Sequence, residues 1–359
     1  MGEAGNKTIA ARLVMAAACL ALAACSGKRE LMPAPNLYTQ PGAPTLFNDI
    51  DPSLQTSDID LLYVTDRRSE IDENGDFRYG YGRSNSLAFG STTVAIQPAL
   101  AWADLVAASL RTERDPALTL AVTAIEEQGR FPATPLPATV DENRVVIREE
   151  ALLAQRAAED AFRAELRRRL ARANRKEVMV FVHGFNNQFE HAAEVLAELW
   201  HFMGRENVPL LYTWPAGKGG ATGYTYDRES GEFTNFHLKN LLALIAEMEE
   251  VERIELLAHS RGTDVLSTAV RELIMTSRAA GLDPLEEVRF ENVILAAPDL
   301  DMEVFSQRFI AEYVGSGVGE FTIYTAEDDK AINLSERLFK SRQRMGRLTT
   351  ESLDPESVK

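Results

Sequence analysis

Residues 253–262 read R-I-E-L-L-A-H-S-R-G. The apolar run 254–258 predicts a short buried strand, and an apolar stripe at helical spacing begins just after Gly262. A serine between such a strand and such a helix occupies a tight turn, a nucleophile elbow, which pushes its hydroxyl oxygen into solvent above the sheet. Small residues two positions before and after Ser260 let the turn close, although Ala258 stands where glycine is usual. A buried serine in an ordinary β-to-α turn is the alternative reading.

A second motif supports the elbow. The buried run 177–182 predicts a strand, and it continues into His183-Gly184-Phe185-Asn186. Acyl transfer at an elbow needs a second donor for the developing oxyanion, from the loop after an earlier strand. Gly184 lets that loop turn inward, so the backbone N–H groups of Phe185 and Arg261 are the predicted oxyanion hole. His183 is predicted to brace the loop rather than to act as a base.

Strands and helices alternate from residue 177 onward, which predicts an α/β fold with a mostly parallel sheet and helices on both faces. Residues 98–173 read as a helical insertion before this core, forming a lid or cap. Residues 70–90 read as a polar, glycine-rich turn region. The predicted strands are 60–65, 91–96, 177–182, 208–213, 254–258, 291–297 and 320–325, and the clearest helices are 149–174 and 188–204.

Several runs resemble one bacterial family of α/β-hydrolases, catalogued as a domain of unknown function, DUF900. They are V-F-V-H-G-F-N-N, L-L-Y-T-W-P, Y-T-Y-D-R-E-S, L-L-A-H-S-R-G, L-A-A-P-D-L-D and Y-T-A-E-D-D-K-A-I, preceded by L-Y-V-T-D-R and R-S-N-S-L-A-F-G. The resemblance covers residues 60–345 apart from the insertion. It implies an α/β-hydrolase fold with Ser260 as nucleophile, and a histidine beyond one further strand. It supplies no substrate.

The acid of a catalytic triad has two candidates. Asp299 follows the predicted strand 291–297, and Asp329 follows the predicted strand 320–325. The chain order of serine, acid and histidine in this fold favours the later strand. The D-K-A portion of the family resemblance selects Asp329 over its neighbour Asp328, so Asp329 is the predicted acid and Asp299 the alternative.

The base is where the sequence departs from the family pattern. The five histidines are His183, His191, His201, His237 and His259, and none follows Ser260. One interpretation is that the last strand and its histidine are missing from this chain. The other is a pseudo-hydrolase that binds a partner or ligand without catalysis. A serine without a base is a poor nucleophile, so residues 26–359 alone are predicted to be nearly inactive on short acyl esters.

The first 24 residues predict a lipoprotein signal peptide. Lys7 and Arg12 precede an apolar run, 13–22, that is too short to span a bilayer. The following L-A-A-C resembles a bacterial lipobox, which implies cleavage before Cys25 and lipid attachment to its thiol. A plain secretory signal is the alternative. The expected location is the cell envelope, at the outer membrane and facing the periplasm, with residues 25–57 as a proline-rich flexible tether and 58–359 as the hydrolase domain.

Composition limits the remaining function classes. The 359 residues carry a formal net charge of −16, which argues against nucleic acid as a partner and against electrostatic binding to anionic lipid. No glycine-rich phosphate loop or metal-ligand spacing occurs in the sequence, so neither cofactor nor metal is expected. The leading prediction is a lipid-anchored serine hydrolase of the esterase or lipase type, acting on an acyl ester. A non-catalytic envelope lipoprotein is the alternative, and a peptidase is third.

Overall fold

The computed structural model describes residues 28–43, 45–47, 50–219, 222–325 and Met345. Eleven strands lie within these ranges: β1 Arg29–Glu30, β2 Asp58–Ile71, β3 Phe77–Gln97, β4 Thr119–Arg130, β5 Ala138–Asp141, β6 Arg144–Ile147, β7 Glu177–Val182, β8 Val208–Thr213, β9 Arg253–His259, β10 Phe290–Ala296 and β11 Glu320–Tyr324. Nine form one sheet in the order β1-β4-β3-β2-β8-β7-β9-β10-β11, and β5 pairs with β6 separately. From β2 to β11 the neighbours are parallel, whereas β1, β4 and β3 add an antiparallel end.

Helices cover both faces of the sheet, as the sequence predicts. The α-helices in the described ranges are α1 Asn36–Thr39, α2 Trp102–Ser109, α3 Glu149–Arg172, α4 Phe189–Phe202, α5 Gly223–Ala246, α6 Gly262–Ala279, α7 Pro284–Val288 and α8 Met302–Phe305. Alternate residues of β7 belong to two separate cores. Val178 and Val180 pack with α3, α5 and α6, whereas Met179 and Phe181 pack with α4. No helix within the described residues has the length and apolarity to cross a membrane.

The chain reverses its direction of travel across the sheet at β7. The strand β8 lies on one side of β7, and β9 lies on the other. A ligand crevice forms at such a switch point, outside the carboxyl ends of the strands. The parallel pair β7 and β9 ends with Val182 opposite Ala258, so the loop after β7 and the turn after β9 emerge side by side.

The segment expected to be a flexible tether packs against the body from residue 29 onward, so that expectation is wrong there. Strand β1 pairs with β4, and the Arg29 guanidinium forms an ion pair with the buried Glu198 carboxylate. Leu31 and Ile50 are also buried. These few apolar residues are too widely spaced to give a periodic pattern, which is why the sequence did not predict an ordered segment.

The expected insertion, residues 98–173, is also largely part of the body rather than a lid. Strand β4 pairs along most of its length with β3. Helix α3 places Phe162, Leu166 and Leu170 in the main core. The prediction of a turn region at residues 70–90 is also wrong, because β2 and β3 continue through these residues as a hairpin. The paired residues of this hairpin are largely polar, so the sequence shows no alternation of apolar and polar residues that would predict strands there. Only the short β5–β6 hairpin carries exposed residues throughout both strands.

Four sequence predictions lie outside the described residues. They are the signal peptide, the lipidation site Cys25, the acid Asp329 and the missing last strand beyond β11. They stay predictions.

A buried carboxyl group on β9 gives the fold a pH dependence. Glu255 is 2% exposed, and its Oε2 accepts a hydrogen bond of 2.7 Å from Asn292 Nδ2. Its Oε1 has no hydrogen-bond partner among the described residues. Burial raises the pKa of Glu255 to about 7 from 4.5. Between these pH values the unfolded chain loses the proton while the native protein keeps it, so native stability falls as pH rises.

Glu255→Gln is expected to remove this dependence. The variant should be more stable than the wild type at pH 8, by up to about 3 kcal/mol, because the amide never has to ionise. Near pH 5 the two free energies of unfolding should converge. Urea unfolding at both pH values measures the difference, and an equal difference at pH 5 and pH 8 would contradict the assignment.

Candidate active site

Ser260 lies on the predicted elbow between β9 and α6. Its φ is +49°, in the left-handed region that costs a residue with a Cβ about 1 kcal/mol or more. Several bonds hold the turn. Ser260 N donates to Ala296 O at 2.9 Å, while the N and Oγ1 of Thr263 donate to Ser260 O at 3.1 and 2.6 Å. The serine as a whole is only 4% exposed.

Two glycines explain why the serine is covered. A Cβ on Gly262 would lie 2.2 Å from His183 O and 2.7 Å from Val182 O. A Cβ on Gly184 would lie 2.9 Å from the Cβ of Ser260. The loop after β7 and the elbow therefore pack backbone against backbone. No other residue type fits at either contact without a shift of the main chain.

The predicted oxyanion donors lie on these two touching segments. In the described part of the chain, neither the N–H of Phe185 nor that of Arg261 donates to a protein acceptor. The Arg261 side chain points to Asp264 Oδ2, at 2.6 Å. Burial alone would lower the pKa of this guanidinium, but the charge of Asp264, with smaller effects from Tyr224 and Asp299, raises it above its ordinary value. The guanidinium of Arg261 therefore stays charged and paired to Asp264.

His183 braces the loop, as its motif predicted. Its ring stacks on Trp214, with centroids 5.3 Å apart and planes 6° from parallel. The Trp214 N–H donates to His183 Nε2 at 3.1 Å, and the Trp214 Nε1–H donates to His183 O at 2.7 Å. Burial, followed by the nearby charge of Arg67, holds the pKa of His183 well below its ordinary value. The ring therefore stays neutral and structural.

Arg67 is a site residue that sequence analysis missed. Its fully buried guanidinium donates to the carbonyls of Asn187 at 2.7 Å, Ala216 at 2.8 Å and Gly80 at 3.1 Å. Burial lowers its pKa to about 10. It joins the loops after β7 and β8 to the β2–β3 hairpin. The signal was its place in L-Y-V-T-D-R, which belongs to the family resemblance.

Asp227 on α5 also fixes the loops after β7 and β8, with a negative charge in place of a positive one. Its carboxylate accepts from Asn186 N at 2.9 Å and from Gly217 N at 3.2 Å. Burial raises its pKa, because the surrounding N–H groups offset only part of the desolvation. The loop that carries Phe185 is thus fixed from both sides, by an arginine on its carbonyls and an aspartate on its amides.

The structure brings the alternative acid, Asp299, next to the elbow. Its side chain is buried, and Oδ2 accepts a bond of 2.6 Å from the hydroxyl of Tyr224. Its backbone N–H donates to Ser260 O at 3.3 Å. The Tyr224 ring in turn contacts Phe185, at 5.3 Å between centroids. Asp299 therefore supports both sides of the predicted oxyanion hole.

None of the five histidines hydrogen-bonds the Ser260 hydroxyl in the described part of the chain. His201 contacts Ser109 Oγ at 2.8 Å, inside the opposite core. His237 contacts Asp66 Oδ2 at 2.9 Å and Thr134 Oγ1 at 3.0 Å. His191 lies half-buried on α4, where burial lowers its pKa. The proton acceptor that a serine nucleophile needs is not among these contacts.

A serine elbow at the switch point of a mostly parallel sheet, with helices on both faces, defines the α/β-hydrolase class. The chain matches the family described as alpha/beta hydrolase of unknown function (DUF900) over residues 158–358, more than half its length, and belongs to that family. Searches of curated proteins and of solved structures found no match. Within the described residues, no group of three or more His, Cys, Asp or Glu side chains could hold a metal.

Proposed function

We propose that this protein is a serine hydrolase that cleaves an acyl ester at Ser260. The observation that carries the proposal is the strained elbow, whose positive φ at a serine is held next to two backbone N–H groups without a protein acceptor in the described chain. Strain of this kind persists where the surrounding structure enforces it, and it is concentrated at functional sites.

In the proposed reaction, Ser260 Oγ attacks the acyl carbon and the carbonyl oxygen becomes an oxyanion. The N–H groups of Phe185 and Arg261 hold that oxyanion, an interaction usually worth about 10²–10³-fold in rate per donor. The alcohol leaves with a proton, and water then attacks the acyl-enzyme to regenerate the serine. A general base takes the Ser260 proton and passes it to the leaving alcohol. The family resemblance places that base, a histidine, after one further strand, where Asp329 would orient it.

A non-catalytic binding protein on the same fold is the second candidate. Its support is the set of histidine contacts, because none of them reaches Ser260 in the described part of the chain. In this case the covered serine and its glycine-closed loops would be a retained scaffold, and the crevice would bind a ligand without turnover.

Fluorophosphonate labelling separates the two candidates, because the probe reacts only with an activated serine. In an active form of the protein that includes the base, peptide mapping should find the adduct on Ser260, and Ser260→Ala should abolish it. Ser267→Ala is the matched control, since Ser267 is also buried on α6, and its hydroxyl donates to Asp264 O at 3.3 Å. An unlabelled Ser260 in that form would favour the binding protein.

We also propose that Cys25 carries a lipid anchor to the cell envelope. The support is the lipobox-like L-A-A-C after an apolar run of signal-peptide length. Cys25→Ser should move the protein from the membrane fraction to the soluble fraction, because one residue carries the whole attachment. Continued membrane fractionation of this variant would reject the anchor.

A further inference from the structure

An open pocket of about 780 Å³ lies between the β2–β3 hairpin and the start of α5, and it plays no part in the chemistry proposed above. The β2–β3 hairpin lines it with Arg68, Tyr81 and Arg83. The segment that leads into α5 and the first turns of that helix contribute Lys218, Tyr226 and Glu229. We call it the cationic pocket, because three cationic side chains face one carboxylate.

The charge of this pocket opposes that of the whole protein. The chain carries a formal net charge of −16, yet Arg68, Arg83 and Lys218 form no ion pair with a carboxylate in the described ranges. Cationic groups gathered in a concave surface raise the local concentration of anions. The net excess of two positive charges matches a dianion better than it matches a single carboxylate.

Two of the three cations, Arg83 and Lys218, contact neighbouring side chains, while Arg68 and Lys218 are exposed to solvent. Arg83 Nε donates to Ser230 Oγ at 3.0 Å, and its guanidinium lies 5.1 Å from the centre of the Tyr226 ring. Lys218 Nζ lies 4.9 Å from the same ring. The Tyr226 hydroxyl donates to Tyr81 O at 2.9 Å. The aromatic ring thus positions both cations and is itself fixed to the hairpin.

The pocket and the elbow share one edge of the sheet. Strands β2, β8, β7 and β9 are parallel neighbours; Arg68 lies on β2 three residues beyond its last pair with β8, Thr65 opposite Thr213, and Ser260 directly follows β9. Three inter-strand spacings separate them, about 14 Å across the sheet. The first turns of α5 join the two places, since Tyr224 bonds Asp299 beside the elbow while Tyr226 lines the pocket.

We propose that the cationic pocket binds a phosphate monoester group of the substrate, while the acyl carbonyl lies at Ser260. A phosphate monoester carries between about 1.5 and 2 negative charges at neutral pH, which complements the pocket. Arginine and lysine side chains give phosphate charge-assisted hydrogen bonds. The link to the acyl group rests on the proposed hydrolase function, but the binding of phosphate itself does not.

Calorimetric titration with phenyl phosphate tests the pocket without any need for turnover. Wild type should bind it saturably, with affinity that falls as sodium chloride is added. Lys218→Gln and Arg83→Gln should each weaken binding about tenfold or more. Arg156→Gln, an exposed cation on α3, is the matched control and should bind as wild type does. Benzoate, a monoanion of similar shape, should bind about tenfold more weakly.

In an active form of the protein, a pair of p-nitrophenyl esters tests the link to the elbow. Both have acyl chains of equal length, and one ends in a phosphate monoester and the other in a hydroxyl group. The phosphate ester should have the lower KM, and Lys218→Gln should raise that KM while leaving kcat unchanged. No saturable phenyl phosphate binding, or equal binding by wild type and the pocket variants, would overturn the pocket. Phosphate binding without hydrolysis of either ester would instead reject the hydrolase function and leave the pocket standing.

Discussion

In an active form of the protein, Asp329→Asn is expected to cut turnover about 10⁴-fold, the scale known for a disrupted triad acid. The charge of such an acid stabilises the imidazolium that forms when the base takes the serine proton. Its geometry also selects the correct tautomer of the histidine, which an amide does not do. The fold should be unaffected, because the change removes one charge and no volume.

Asp299→Asn is the matched comparison. The amide oxygen of asparagine can still accept the hydrogen bond from the Tyr224 hydroxyl, and the backbone bond to Ser260 O does not depend on the side chain. Turnover of this variant should therefore stay within about tenfold of the wild type. The rate of ester hydrolysis or of fluorophosphonate labelling measures both variants. If Asp299→Asn shows the large loss and Asp329→Asn does not, the acid has been assigned to the wrong residue.

Gly262→Ala is expected to produce the largest loss of stability. The added methyl carbon would lie 2.2 Å from His183 O, and that oxygen belongs to a main chain held by Trp214. Neither segment can move without opening the contact between the elbow and the loop after β7. We expect a loss of about 3 kcal/mol or more in the free energy of unfolding, together with loss of labelling at Ser260.

Gly315→Ala provides the control for this change. A Cβ at Gly315 meets nothing within 4 Å, so the same substitution should alter stability by no more than about 0.5 kcal/mol there. Urea unfolding of the two variants and the wild type gives the comparison. A Gly262→Ala protein as stable as the Gly315→Ala protein would show that the elbow does not depend on this backbone contact.

The parallel half of the sheet was predictable because its strands are continuous apolar runs. The bounds of β7 and β8 agree with the sequence prediction, and every residue of both strands is buried. The antiparallel end was not, because the outer part of the β2–β3 hairpin pairs residues such as Arg67 with Arg83 and Ser69 with Tyr79. Polar residues on both faces give no alternation for a pattern to detect.

The candidate active site also contains residues that the sequence predicts and residues that it does not. Ser260 and its glycines were predictable, since a turn between a strand and a helix restricts which residues can occupy it. Arg67 and Asp227 were not, because a charged side chain in a sequence is read as exposed. Arg67 is buried against the carbonyl of Asn187, more than a hundred residues away in the chain. Asp227 is buried against the backbone N–H of Asn186, about forty residues away. Such long-range contacts leave no local pattern in the chain.

The packed N-terminal segment changes what a lipid at Cys25 would mean. Only three residues lie between Cys25 and Arg29, which already belongs to the sheet, so four Cα–Cα steps join the two. Fully extended, they reach about 14 Å. A protein anchored there would lie directly on the bilayer with its β1–β4 edge toward the lipid. The short connection would restrict its motion about the anchor. Its substrates would have to arrive at the membrane surface, so activity would depend on how the body is oriented there.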